Sequence, residues 1–283
     1  MSTEQKPVRL ALFGESDVGK SHYGGQLLLR LNTEQCELRM RGAASNIAAF
    51  SEVTQRLNEG VPAPHTSAAV FYESVWPVLD SAGATMDLSW PDYAGEQVKA
   101  MLDERKISSE WHERIRSADS WLLMVRPRLI KQEDDILSRP LADVAGPTGS
   151  RERGRRSSQT RPVELLQMLL YAQRATSEQA RQPVLAVLLS CWDEIEHTDN
   201  KTPWQVFVEH LPLLAAFVEN NWEPSRSKVF GISALGVELR TEQPNKRFVN
   251  EGPEHFGYIV TPDGRRDTDL TLPIAEVARL VRG

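Results

Sequence analysis

Apolar positions along the chain fall into two alternating patterns. Short continuous runs (VRLALF from Val8, SWLLMV from Ser120, VLAVLLS from Val184 and KVFGIS from Lys228) have the length and composition of strands buried on both faces. Between them, apolar residues recur at helical spacing. SHYGGQLLLRL follows the first run, SNIAAFSEVTQRLNEG starts at Ser45 and should stop at Gly60, and SSEWHERIRSA starts on a serine cap. TPWQVFVEHLPLLAAFVENNW opens on Thr202-Pro203, a good cap and first helical position, and Pro212 should bend or interrupt it. LPIAEVARLVRG closes the chain as a helix. CELRMRG from Cys36 reads as a short strand, and AVFYESVWPVLD and ATMDLSWPD flank the turn SAG as a hairpin. Such alternation predicts an α/β fold in three layers, with a mainly parallel central sheet of about six strands between helices and one antiparallel hairpin. No internal repeat is visible.

One segment breaks the pattern. ADVAGPTGSRERGRRSSQTRP, residues 142–162, is rich in Gly, Ser and Arg and nearly without apolar side chains. It reads as a mobile surface insert, or more sharply as a docking arm or a source of arginine for a phosphate site. The expected organisation is a single domain over 1–283, carrying that insert and a C-terminal extension at 241–283.

Composition narrows the class. With 283 residues, 40% of them hydrophobic, the chain can bury a sizeable core, and its net charge of −6 argues against a general nucleic-acid binder. Two cysteines, Cys36 and Cys191, make no disulfide framework. The start MSTEQKP has no signal-peptide core, and no apolar stretch approaches the roughly 20 residues that span a bilayer. The expectation is a soluble, cytoplasmic protein without a membrane span.

The chemistry begins at GESDVGKS, Gly14 to Ser21, which fits G-x-x-x-x-G-K-[ST] between a strand and a helix. In such a loop the backbone amides of Gly14, Glu15, Ser16, Asp17, Val18 and Gly19 wrap a β-phosphate. Lys20 lies across the β- and γ-phosphates, and Ser21 ligates Mg²⁺. His22 follows on the helix, whose positive end faces the anion. WPDYAGEQ, from Trp90, closes a strand. There Asp92 is a carboxylate for Mg²⁺, and Gly95 is an amide with no side chain to keep a γ-phosphate away.

D-x-A-G-E downstream of that loop resembles the switch II motif of Ras-like GTPases of the translation-factor-related class. The resemblance covers roughly residues 8–240 and implies further roles. Thr66 in PAPHTS takes the place of the switch I threonine that ligates Mg²⁺ and senses the γ-phosphate. SCWDEI, from Ser190, takes that of the base-reading N/T-K-x-D motif, and GISALG brings Ser233, Ala234 and Leu235 to the guanine oxygen. The segment before Thr66 and the tail from Gly257 resemble the double-GTPase type of bacterial conflict and antiviral defence systems. The implied ligands are GTP or GDP with Mg²⁺, and the implied partner is an effector or activating protein, with no direct nucleic acid.

Departures from the pattern matter as much. Asp193 can accept two hydrogen bonds from guanine, for which adenine has no matching donors. Cys191, however, replaces the lysine whose stem packs over the base, and Trp192 beside it reads either as an apolar face for the base or as core. Glu96 stands where a glutamine orients the attacking water, with Gln97 next to it, so hydrolysis should be slow until a partner completes the site. The hydrolytic set is then Lys20, Thr66 and Gly95 with Glu96 or Gln97. Arg126 and the Arg151–Arg161 segment are the cis candidates for a transition-state cation. His65 reads as a plain loop residue. Alternatives remain: a nucleotide-binding interaction module with little turnover, suggested by Glu96, and an ATPase or kinase on the same loop, suggested by Cys191.

Overall fold

The apolar runs become the middle of a six-stranded sheet. The computed structural model describes residues 8–33, 36–63, 72–92, 95–130, 158–174, 182–195, 198 and 200–283. Strands β1 (Leu10–Phe13), β5 (Ser120–Val125), β6 (Val184–Ser190) and β7 (Ser227–Ser233) lie side by side in parallel. Every residue of β1, β5 and β6 is buried, as helices on both faces require. Two short strands extend the sheet antiparallel, β8 (Tyr258–Val260) and β9 (Arg266–Asp267), giving the order β1-β5-β6-β7-β8-β9.

Alternate residues of each strand serve opposite faces. Phe13, Trp121, Leu123, Leu185 and Val187 face five helices. These are α3 (Gly95–Glu104), α4 (Ser109–Ser117), α5 (Thr160–Arg174), α6 (Pro203–His210) and α7 (Pro212–Asn221). On the other face Leu12, Leu122, Met124, Leu188 and Ile232 meet α1 (Lys20–Leu31) and α9 (Leu272–Arg282). The expected three-layer α/β architecture is thus observed.

The hairpin forms as β3 (Tyr72–Asp80) and β4 (Thr85–Asp92), but it does not enter the main sheet. It takes β2 (Leu38–Met40) on its outer side and makes a three-stranded antiparallel sheet next to β1. Trp76 and Trp90 stack across it with centroids 5.3 Å apart. That pair, with Phe50 of α2 (Ala48–Asn58), seals the sheet onto α1.

Other expectations are sharpened. Thr202 caps α6 in a full capping box, and of the two outcomes expected at Pro212 the interruption is observed, since proline offers no amide to continue the ladder. Ser108 caps α4 as read. The sequence reading put no element at α3, α5, β8, β9 or α8 (Lys246–Glu251). Residues 142–157 of the insert lie outside the described residues, and its last residues run into α5. No helix among the described residues is long and apolar enough to cross a membrane.

Candidate nucleotide-binding site

In a parallel sheet the loops after the strands converge at one edge, and ligands bind there. The loops after β1, β5, β6 and β7 enclose a cavity of about 1070 Å³ at that edge. Its floor is the loop from Ser16 to Gly19 with Lys20, Ser21 and His22 of α1. Gly19 has φ 88°, and α1 starts directly beyond it, so the positive end of that helix opens onto the loop. Lys20 Nζ donates to the carbonyls of Gly14 at 3.0 Å and Glu15 at 2.6 Å, which folds the lysine over the loop. His22 Nε2 accepts from the amide of Ala63 at 2.9 Å, pinning the segment that leads toward Thr66.

Gly95 begins α3 directly on this loop. A Cβ there would sit 2.1 Å from the Ser16 nitrogen, so no larger residue fits. Glu96 is exposed and lines the cavity, whereas Gln97 is half-buried and does not line it. Asp92 ends β4, opposite Tyr72 in the hairpin register. Thr66 and His65, with Tyr93 and Ala94 of the switch II motif, lie outside the described residues.

The far wall carries the residues read as base recognition. Asp193 is exposed and lines the cavity from a single 3₁₀ turn after β6. Ser190 is buried and donates to the carbonyl of Val125 at 3.1 Å, which ties β6 to β5 at this edge. Ala234 and Leu235 line the cavity, while Ser233 is buried at its wall and its Oγ accepts from Gly236 N at 3.0 Å, closing the loop on itself. Of the two readings of Trp192, the structure favours core. It is buried, and a Cβ at Gly231 would sit 2.2 Å from its ring. Cys191 faces the cavity with φ 51°, and burial pushes its thiol up to about 11, so it is uncharged at neutral pH.

Arg126 is engaged, and so is Arg161, the last arginine of the Arg151–Arg161 segment, whose other arginines lie outside the described residues. Arg126 grips Glu194 through Nε at 2.9 Å and Nη2 at 2.5 Å, and donates from Nη1 to the Asp17 carbonyl at 3.0 Å. Arg161 holds Glu15 from Nε at 3.0 and 2.9 Å and Asp103 from Nη1 at 3.1 Å. Lys99 and then Arg161 keep the Asp103 carboxyl below its ordinary range. Arg161, at 19% exposure, thus sits between the phosphate loop and the end of α3. The sequence reading missed Arg128, Glu194, Pro62, Ala63 and Val237–Leu239 on the cavity wall. Their only sequence signal is position, since most follow the ends of apolar strands.

Among the described residues no three His, Cys, Asp or Glu side chains converge as a metal cage. The donor types that the sequence offers are instead a hydroxyl, Ser21, and a carboxylate, Asp92. Such hard oxygen donors fit Mg²⁺ shared with a phosphate chain rather than a metal held by protein alone.

The sequence model of the Double-GTPase 1 family matches residues 11–277. No curated protein matches. Among solved structures, the GTPase-like domain of S. cerevisiae Ski7, bound to GDP and inorganic phosphate, is 15% identical with a TM-score of 0.43, over 87% of this chain and 48% of that one. Sup35 complexed with GDP is 11% identical with a TM-score of 0.34, over 84% and 40%. The chain spans about half the length of these structures or less.

Proposed function

The chain belongs to the Double-GTPase 1 family, and from that premise we propose that it is a GTP-driven switch that uses Mg²⁺, hydrolyses slowly alone and offers a partner protein a surface set by the bound nucleotide. The observation that carries this reading is convergence. One cavity is lined by Lys20 and Ser21, by Gly95 and Glu96, and by Asp193, Ala234 and Leu235. Phosphate, γ-phosphate and base chemistry therefore lie within one ligand's reach.

The residues divide the work by their chemistry. The amides from Ser16 to Gly19 and the start of α1 hold the β-phosphate, and Lys20 neutralises the β,γ-bridge. Ser21, Asp92 and Thr66 would hold Mg²⁺, which would supply positive charge against the phosphates. The Gly95 amide meets the γ-phosphate because nothing but hydrogen covers its Cα. Asp193 accepts from N1–H and the exocyclic amine of guanine, with Ser233, Ala234 and Leu235 at the oxygen. Glu96 at the cavity edge repels both the triphosphate and a hydroxide-like water, which supports slow turnover. The same exposed carboxylate supports a second reading, an interaction module that binds nucleotide and barely cleaves it. A role in bacterial conflict or defence, and a cytoplasmic setting, belong to the proposal with the resemblance as their support.

Titration of the chain with GTP, GDP and ATP, with and without Mg²⁺, tests the switch. Guanine nucleotides should bind more tightly than ATP, and Mg²⁺ should tighten GTP. Tighter ATP than GTP binding overturns it. Single-turnover phosphate release, alone and with cell extract, separates the two readings, since a bare binding module stays silent in both.

A further inference from the structure

The base-reading turn lacks a cation, because Cys191 stands where the motif has lysine. Its thiol is uncharged at neutral pH and too short to reach from one loop to the next. A cation is nevertheless present on the same wall, brought from a different strand. Arg126 leaves the end of β5, lines the cavity, and lies close enough to Cys191 for its positive charge to favour the thiolate against the burial that opposes it. Its guanidinium is bracketed on two sides. Glu194, two residues past Trp192, takes it as a fork, and the carbonyl of Asp17 in the phosphate loop takes Nη1 at 3.0 Å. One side chain therefore joins the phosphate loop to the base-reading turn.

Resting on the GTP-binding reading, we propose that Arg126 is the base-clamping cation of this protein, relocated from position 191 of the base-reading turn to the end of β5.

Three arguments support it. A guanidinium has five N–H donors, and the described partners take three, so donors remain for a ribose or base edge. Its flat face stacks on an aromatic ring, as a purine is, which a lysine stem does only through its methylenes. Finally, the bidentate pairing with Glu194 fixes that plane before a ligand arrives, so little rotamer freedom is lost on binding. Glu194 also raises the arginine's proton affinity, so the charge persists at any pH at which the protein is folded. Specificity shifts accordingly. Asp193 still selects guanine, while the clamp depends on residues 126 and 194, which no base-motif pattern includes.

The experiment is a rescue. GDP affinity is measured by isothermal titration for wild type, Arg126→Ala, Cys191→Lys and the double variant, with melting curves for each and ADP as the selectivity control. Arg126→Ala should weaken GDP by about tenfold or more. Adding Cys191→Lys to it should restore most of the loss, because a cation returns to the same wall. In the wild-type background Cys191→Lys should give no tightening, because Arg126 already occupies the place and repels it. An Arg126→Ala chain that binds GDP like wild type overturns the proposal, as does a folded Arg126→Ala chain that Cys191→Lys fails to rescue. Should Arg126→Ala not fold, a tightening by Cys191→Lys alone overturns it too. A wild-type chain that binds no guanine nucleotide defeats the GTP reading itself, so the two failures stay distinct.

Discussion

Gly95 shows how much rests on one hydrogen. Replacing it by alanine would put a methyl carbon 2.1 Å from the Ser16 nitrogen and 2.4 Å from the Glu15 carbonyl carbon, both backbone, so α3 must move. A shift near 1 Å at a reacting centre costs on the order of a hundredfold in rate. Gly95→Ala should therefore lose about that much GTP hydrolysis while GDP affinity changes far less, since the base wall is untouched. Equal losses in both would show that Gly95 shapes the loop rather than the γ-phosphate contact. Glu96→Gln next door removes a charge from the cavity edge, and single-turnover hydrolysis should rise on the order of tenfold. No change in either Glu96→Ala or Gln97→Ala would discard both as water-positioning groups. Cys191 gives a prediction in pH. With its thiol at about 11, the thiolate at pH 7.5 is roughly one in a few thousand, and thiolate is the species that alkylates. Iodoacetamide labelling at Cys191, followed by peptide mass spectrometry, should be slow at neutral pH and climb about tenfold per pH unit toward 10. A plateau near pH 8 would contradict the burial of this thiol.

At the scale of elements, α3 touches the phosphate loop at both ends. Gly95 abuts Ser16 directly, and Asp103 near the other end reaches Glu15 through Arg161 of α5. Removing the arginine leaves two carboxylates near each other without their bridge. Because Asp103 is 42% exposed, the stability loss should be only about 1 kcal/mol. The larger effect should be on order, with faster amide exchange in the first turns of α3 of Arg161→Ala and slower hydrolysis. Unchanged exchange would mean that the bridge is ornamental. The folded-state carboxyl of Asp103 is depressed, so the bridge holds above the ordinary carboxylate range and is lost only as pH falls through the lowered value. None of this was legible in the sequence. The loop GESDVGKS, the buried strands and the caps at Ser108 and Thr202 were, because each is decided by neighbours a few residues away. Arg126 and Arg161 were visible as residues but not as contacts, since their partners lie 58 to 146 positions distant. Helix α5 carried a readable signal, Leu165, Leu166, Leu169 and Leu170 at helical spacing, overshadowed by the arginine-rich run that leads into it. Strands β8 and β9 carried none, for three and two residues have no periodicity to read.

Across the whole molecule, residues 253–270 brace both halves of the cavity. On the base side, Gly257 packs so closely that a Cβ there would lie 2.3 Å from the Ala234 carbonyl. On the phosphate side, α1 reaches the same segment with three buried side chains. Tyr23 donates to the Leu270 carbonyl at 3.0 Å, Gln26 to Pro253 at 3.0 Å, and Arg30 to Thr268 and Phe256. Arg30 is the strongest of these ties, since it is 5% exposed and holds two carbonyls with one charge that burial opposes. Arg30→Met keeps much of the stem's packing but leaves both carbonyls unpaired in the interior, a loss of about 2–4 kcal/mol. For a chain of this size that corresponds to a melting temperature lower by roughly 3–7 °C. The shape of the transition is the sharper readout. If the C-terminal segment folds with the cavity, calorimetry of the variant should show one transition moved down. GDP at about a hundred times its dissociation constant should stabilise variant and wild type alike by about 2.7 kcal/mol. An early, separate transition in Arg30→Met that GDP does not move would instead make the segment an independent flap. The buried polar ties from α1 argue for one unit, because each bond made by Tyr23, Gln26 or Arg30 would have to break inside the protein before any flap could open.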